Sequence, residues 1–521
     1  MVIDPGERGP VTLAPLDLPP RGSLRRRSRK TRDGCRDSRA VKEMLDTHAM
    51  CRVAWPVIRE SALSAQNESA LRSAPVHTHK GVIVNLSRRT RLASGIAGAA
   101  AFALIATGCA SDGAGSADGK IELSITTFGT FGYDELYKEY EKANPNITIK
   151  ADNIDTGGNA RTDAFTKISA GSGLTDIVAI EEGWLGQIMG VSDQFVDLNE
   201  YGAADIKDNW VPWKFEQGTD PDGRVIGYGT DIGPQGLCYN GKLFEAAGLP
   251  SDREAVAELF GGDDATWEKY FELGEQYKAA TGKAWYDHSG FVWNSMVNQM
   301  DEGYYTRDGD LNIEDNAEMR ERFDQLAAGT ANGLSANQTA WDWGKGKAFV
   351  DGSFATFVCP GWMLGTIKGS LESGGGDAST GWDFADVFPG GASNWGGAFL
   401  SVPTSSEHPE EAAALAEWLT APEQQVKQSA AAGNFPSTIE AQEKLAEEAT
   451  PNELFNNAPT GAILASRAEG VEAQFKGPDD SLIQENVFGP ALKLLDTGKT
   501  TSADEAWDEA ISLLNDLVVN N

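Results

Sequence analysis

From residue 120 onward, short apolar runs of strand character alternate with longer stretches of helical spacing. Ile121-Glu-Leu-Ser-Ile125 places apolar side chains at every second position, which predicts a half-buried strand. Asp134 to Asn144 has the spacing of an amphipathic helix, stopped by Pro145, and Ile147 to Ala151 is a second strand. Thr162 to Ala170 is helical again, and Asp176-Ile-Val-Ala-Ile180 is a continuous run suited to a buried strand. Strand, helix, strand, helix, strand predicts an α/β lobe on a mostly parallel sheet. Further strands are expected at 225–229, 236–240, 355–359 (broken by Pro360-Gly361) and 398–402 (ended by Pro403). Helices are expected from about Lys242, over 267–281, 318–329, 410–419 and 422–432, and in the tail over 485–497 and 502–519. No internal repeat is present.

A different pattern precedes residue 120. Leu92 to Thr107 is a run of Ala, Gly, Leu, Ile and Phe behind the cluster Arg88-Arg89-Thr90-Arg91. It falls short of the roughly 20 apolar residues of a spanning helix, but it has the length and flanks of a signal-peptide core. Small residues then lead into Cys109, an arrangement that resembles a bacterial lipobox, in which the cysteine is lipidated and becomes the first mature residue. Ala106 stands where that pattern more often has Leu. The alternative is a plain secretory signal cut near Ala110. On the lipobox reading, 82–108 is the signal peptide and 109–118 a flexible Gly/Ser/Ala/Asp linker. An export signal needs a free amino terminus. Residues 1–81 therefore read as a disordered, non-native extension, with translation beginning near Val82 or Val84.

Charge separates the same two regions. Residues 1–108 carry 18 Lys and Arg against 9 Asp and Glu, whereas the remainder carries 26 against 68. So acidic a surface repels phosphate backbones and excludes nucleic acid as a partner. The 413 residues from Cys109 exceed what one hydrophobic core usually serves, so two lobes are expected. Of five cysteines, only Cys238 and Cys359 follow Cys109. They form either one disulfide of an exported protein or two buried free thiols in strands, and the free thiols are the expected state.

The ordered motifs carry a resemblance. Glu139-Tyr-Glu-Lys-Ala-Asn-Pro-Asn146 is followed by Ser172-Gly-Leu-Thr-Asp-Ile-Val178 and Gly229-Thr-Asp-Ile-Gly-Pro-Gln-Gly-Leu-Cys-Tyr-Asn240. Then come Phe244-Glu-Ala-Ala-Gly-Leu-Pro250, Gly352 to Trp362, Leu400-Ser-Val-Pro403, His408-Pro-Glu-Glu-Ala412, Trp418 to Glu423 and Gly433-Asn-Phe-Pro-Ser437. With the lipobox, this order resembles the extracellular solute-binding proteins (family 1) of bacterial ABC importers, the sugar-binding family that includes maltose-binding protein. Within it, the motifs resemble those of the actinobacterial cello-oligosaccharide binders. The resemblance implies a two-lobed periplasmic-binding-protein (Venus-flytrap) fold with hinge crossings. Its lobes would be 119–231 plus 400–447, and 232–397 plus 452–521. It also implies an oligosaccharide ligand, an ABC permease as partner, membrane contact through the amino-terminal lipid alone, a monomer, and a place on the outer face of the cytoplasmic membrane.

The residues say more about the ligand. Of 14 tryptophans, Trp184, Trp293, Trp362 and Trp395 stand beside Gly, Pro or Asn rather than in helical stripes. A sugar ring offers an apolar C–H face to an aromatic plane and hydroxyls to fixed polar groups. Aromatic platforms beside carboxylates and amides at strand ends therefore suit a carbohydrate. The expected ligand-binding set is Phe128, Phe131, Glu181, Glu182, Trp184, Asp231, Trp293, Asn294, Trp362, Trp395 and Gly396. Core packing is the ordinary alternative for each Trp, and of the adjacent Glu181 and Glu182 at most one is expected to reach the cleft.

Other chemistries fit poorly. His288 and His408 are the only histidines after Cys109, and no HExxH or Cys/His cluster is present, so neither metal nor cofactor is expected. Asp308-Gly-Asp-Leu-Asn312 begins like a calcium loop but has Ile313 where Gly is required and Met319 where Glu belongs. No GxSxG elbow occurs. A non-enzyme is expected. The alternatives are a secreted glycoside hydrolase, which needs two facing carboxylates, and a ligand-presenting receptor for a sensor kinase.

Overall fold

The computed structural model describes residues 119–338, 343 and 347–520. Cys109, the signal peptide, the linker and the amino-terminal extension lie outside the described residues. Strands within them are β1 (Ile121–Phe128), β2 (Ile147–Ile154), β3 (Ile177–Glu181), β4 (Tyr228–Gly229), β5 (Asp231–Ile232), β6 (Gln235–Asn240), β7 (Thr356–Pro360), β8 (Trp382–Ala385), β9 (Ala398–Ser401) and β10 (Phe435–Pro436).

The first lobe is built on the sheet β2-β1-β3-β9-β4. β1 runs parallel to β2, from Ile121 opposite Ile147 to Phe128 opposite Ile154, and parallel to β3. β9 is antiparallel to both β3 and β4. The sheet is therefore mixed rather than mostly parallel. β9 re-enters from the other lobe instead of following a helical crossover, so no βαβ unit dictates its direction. The helix Gly157–Ala170 starts where Thr156 accepts from Asn159 N (3.3 Å) and ends at Gly171 in the left-handed conformation.

The second lobe holds the antiparallel sheet β7-β6-β8 and most of the helices. The Trp267–Thr281 helix has the bounds its periodicity predicts, with Thr266 accepting from Lys269 N at 3.1 Å and Gly282 closing it. Cys238 and Cys359 are joined in a disulfide, with Cα atoms 5.7 Å apart, linking β6 to β7. The expectation of two free thiols is thereby overturned: strands 121 residues apart in sequence bring the two sulfurs together. The expected 485–497 helix is also interrupted, by a π-helical turn over Gln484–Phe488 before Gly489–Asp496.

The chain passes between the two cores three times. Tyr228 packs in the first and Ile232 in the second, Phe388 in the second and Ala398 in the first, Leu419 in the first and Phe435 in the second. The crossings are tied together: β5 pairs with β10, and Pro234 bridges to Asn394. This is the two-lobed periplasmic-binding-protein fold.

Candidate functional site

A cleft of about 1540 Å³ opens beside the crossings, lined from the first lobe by Phe128 and Glu181 and from the second by Asn294, Trp362 and Lys476. It sits at the carboxyl ends of β1 and β3, where an open α/β sheet leaves backbone groups and loops free for a ligand.

One wall is aromatic. Trp362 and Trp395 meet edge to face with centroids 5.7 Å apart, and the Trp362 indole N–H donates to the Trp395 carbonyl at 2.7 Å. Phe291 packs on Trp395 at 4.5 Å, and His288 on Phe291 at 5.3 Å. All four rings line the cleft. Trp362 stands at the start of the Met363–Gly374 helix and Trp395 just before β9, while Phe291 and His288 are fixed by the Ser289–Val297 helix, whose amino end His288 caps by accepting from Gly290 N through Nδ1 (3.1 Å). Across the cleft, Phe128 and Phe131 form a second edge-to-face pair at 5.1 Å.

The polar groups divide into those already engaged and those still free. Glu182 is 2% exposed. Its Oε2 accepts from Gly396 N (2.9 Å) and Asn394 Nδ2 (3.2 Å), and its Oε1 from Gln217 Nε2 (3.1 Å). Asn394 in turn accepts from Gly233 N at 2.7 Å. Glu182 is thus the knot that holds two crossings together. Gly233 is required there, because a Cβ on it would lie 1.9 Å from the Trp395 carbonyl oxygen.

Asp231 accepts from Thr230 Oγ1 and, at 3.0 Å, from Ala398 N, both through Oδ1. Burial raises its carboxyl, while the nearby Lys214 ammonium opposes the rise. Lys214 itself is fully buried, with Nζ 3.8 Å above the Phe399 ring and no hydrogen-bond partner. Burial pushes that amine down to about 8 against the pull of Asp231, Glu182 and Glu181. Glu181 is pushed up to about 7 by burial and then by Glu182, with the Gly183 backbone N–H and Lys476 acting the other way. Among the described residues, no other side chain hydrogen-bonds the Glu181 carboxylate, which remains available to a ligand hydroxyl.

Nine of the eleven expected residues border the cleft: Phe128, Phe131, Glu181, Glu182, Asp231, Asn294, Trp362, Trp395 and Gly396. Trp184 and Trp293 do not. Trp184, 1% exposed, packs against Phe165 in a separate apolar cluster of the first lobe. Trp293, 0% exposed, lies in a helix buried on every side, with its indole N–H on Tyr304 Oη at 3.0 Å. An aromatic beside Asn and Ser reads as a loop residue, but Phe291-Val-Trp-Asn-Ser295 is helical because almost every position around it is covered. Sequence reasoning missed Lys214, Phe291, Asn394 and Lys476. Only Asn394, beside Trp395, carried a local signal.

No set of three or more His, Cys, Asp or Glu among the described residues is grouped to hold a metal ion.

Residues 135–457 match the family described as bacterial extracellular solute-binding protein. A solved structure of an extracellular solute-binding protein family 1 member is 44% identical, covering 76% of this chain and 99% of its own, with a TM-score of 0.69. The lactose-binding protein of Rhizobium radiobacter is 27% identical over 290 residues, 53% of this chain. The match spans 64% of that relative's length. The ABC-transporter-associated binding protein of B. animalis subsp. lactis Bl-04, solved with β-1,6-galactobiose, is 21% identical. Its TM-score is 0.62, with 75% of this chain and 96% of that one covered, a likeness of fold.

Proposed function

Because the chain belongs to the bacterial extracellular solute-binding protein family, we propose that it is an extracytoplasmic receptor for a neutral oligosaccharide, which it hands to an ABC permease. The observation that carries this reading is the pairing, across one cleft, of aromatic faces (Trp362, Trp395, Phe128) with polar groups (Glu181, Asn294) that no other side chain among the described residues hydrogen-bonds. The faces take C–H surfaces of sugar rings, and the polar groups take hydroxyls. Glu181, Asp231, Asp480 and Glu485 line the same cleft against Lys368 and Lys476, a balance that disfavours an anionic ligand.

Binding rather than catalysis is supported by the binding-protein family and by the way Glu182 is used. Both Glu182 oxygens are held by protein donors, so that carboxylate is not free to act as an acid or a nucleophile, and Asp231 has its Oδ1 held by Thr230 and Ala398. Cello-oligosaccharides are the ligand class the sequence resemblance favours, and the lactose-binding relative adds β-galactosides. Lipidation at Cys109 would tether the receptor beside its permease.

A thermal-shift screen over gluco-, xylo-, chito- and galacto-oligosaccharides tests the ligand, since a molecule that binds only the folded state raises its melting temperature. A rise with at least one neutral sugar supports the reading, and none across the panel counts against it. Intact-mass analysis of the mature protein tests the tether: a diacylated amino-terminal Cys109 is expected, and an unmodified terminus near Ala110 would remove it.

A further inference from the structure

Apart from the three crossings, the lobes touch where glycines let backbone meet backbone. A Cβ on Gly186 would lie 2.2 Å from the Gly477 carbonyl oxygen and 2.5 Å from that of Lys476. Gly186 belongs to the first lobe, between the core residues Leu185 and Ile188. Gly477 belongs to the second and lies against Tyr305, and the neighbouring Gln474 and Lys476 are held by Val297, Met300 and Asn298. Neither glycine lines the cleft.

A second contact lies alongside. The Gly157–Ala170 helix has no acidic residue in its own first turn. Glu485 of the second lobe approaches that turn, with Oε1 3.2 Å from where a Gly158 Cβ would stand. The partial positive charge of the helix end favours a carboxylate there; burial pushes the Glu485 carboxyl up, and the Arg161 guanidinium opposes that rise. Glu485 sits in the π-helical turn Gln484–Phe488. Such turns are rare and occur frequently at functional sites. This one is pinned by Tyr304, which donates to Gln484 Oε1 and stacks on Phe488 at 5.2 Å.

We propose that Gly186, Gly477 and the π-helical turn bearing Glu485 form the bearing on which the two lobes close. Gly186 and Gly477 act as positioning residues that set the spacing of the cleft walls without touching ligand. The inference rests on the two-lobed fold and not on which sugar is bound. The atoms nearest to a side chain on Gly186 all belong to the opposite lobe, so its expected effect falls on closure rather than on folding of its own lobe.

The test uses Gly186→Ala, Gly186→Val and Glu485→Gln in the full chain. Fluorophores on introduced non-natural side chains at the exposed Asp152 and Asp351 report the inter-lobe distance. In the ligand-free protein, Gly186→Val is expected to lengthen that distance, Gly186→Ala and Glu485→Gln less so, with unchanged melting temperature. If closure-competent molecules fall to about one tenth, apparent affinity for the best sugar of the screen falls about tenfold. Unchanged distances in all three variants overturn the proposal. So does a lowered melting temperature without a change in distance, which would mark ordinary packing. Should Gly186→Val not fold, the Gly186→Ala and Glu485→Gln distances decide. Should no sugar bind, the distances still do.

Discussion

Adjacent carboxylates at the end of β3 are expected to fail in different ways. Replacing Glu182 with Ala removes the acceptor for Gly396 N, Asn394 Nδ2 and Gln217 Nε2. Asn394 Nδ2 keeps a second partner, the Gly396 carbonyl at 2.9 Å, whereas the half-buried Gln217 Nε2 and the buried Gly396 N–H lose theirs, the latter at the greater cost. An orphaned buried donor costs about 1–3 kcal/mol, and weakening the other two bonds brings the loss to about 3 kcal/mol. With an unfolding entropy of about 2.1 cal/mol/K per residue over about 400 residues, that lowers the melting temperature by about 3–4 °C. Glu181→Gln removes a charge that no other side chain hydrogen-bonds. It is expected to leave the melting temperature nearly unchanged and to weaken sugar binding by about 1.5–3 kcal/mol, the worth of a hydrogen bond to a charged group. Differential scanning calorimetry and isothermal titration on both variants give the four numbers needed. The reasoning is refuted if Glu182→Ala melts like the parent, or if Glu181→Gln loses stability and keeps affinity.

Other expectations follow from the same structure. Trp395→Ala and Trp362→Ala should each weaken binding by about 1–3 kcal/mol, on the scale of aromatic stacking; unchanged calorimetric affinity in both would remove the aromatic wall from the site. Replacing Cys238 and Cys359 together with Ala frees a closure 121 residues long. It should cost up to about 5 kcal/mol by chain entropy, read as a lower urea midpoint, and an unchanged midpoint would contradict it. Asp287 is fully buried, with Oδ1 unpartnered and Oδ2 accepting from Trp343 Nε1 at 3.2 Å. Burial pushes it up to about 8, above its unfolded value of about 3.9. Its stabilising protonation is complete below about pH 4 and is lost as pH rises toward 8. Asp287→Asn should therefore flatten the decline in stability between pH 5 and 8, and an unaltered slope would refute the assignment.

Most of the framework is legible where local pattern and burial agree. Ile121 to Ile125 alternates because one face of β1 covers the core, and Thr266 and Gly282 bracket a helix that needs no tertiary help to be recognised. The cleft was legible where side chains stand at strand ends, as Phe128, Glu181 and Asp231 do. Legibility fails where long-range contacts decide. Trp293 lies in a helix buried nearly all round, which leaves no periodicity to mark its burial. The disulfide and the direction of β9 depend on pairings between distant segments. Lys214 looks like any surface lysine until Phe399 and Gly397 close over it.

The central claim is that the cleft binds a neutral oligosaccharide and leaves it intact. Isothermal titration of the purified chain with cello-oligosaccharides and lactose, followed by chromatography of the recovered sugar, tests it most directly. The account predicts saturable one-to-one binding of at least one of them, with the sugar recovered unchanged. Binding to none, or the appearance of cleavage products, would contradict it.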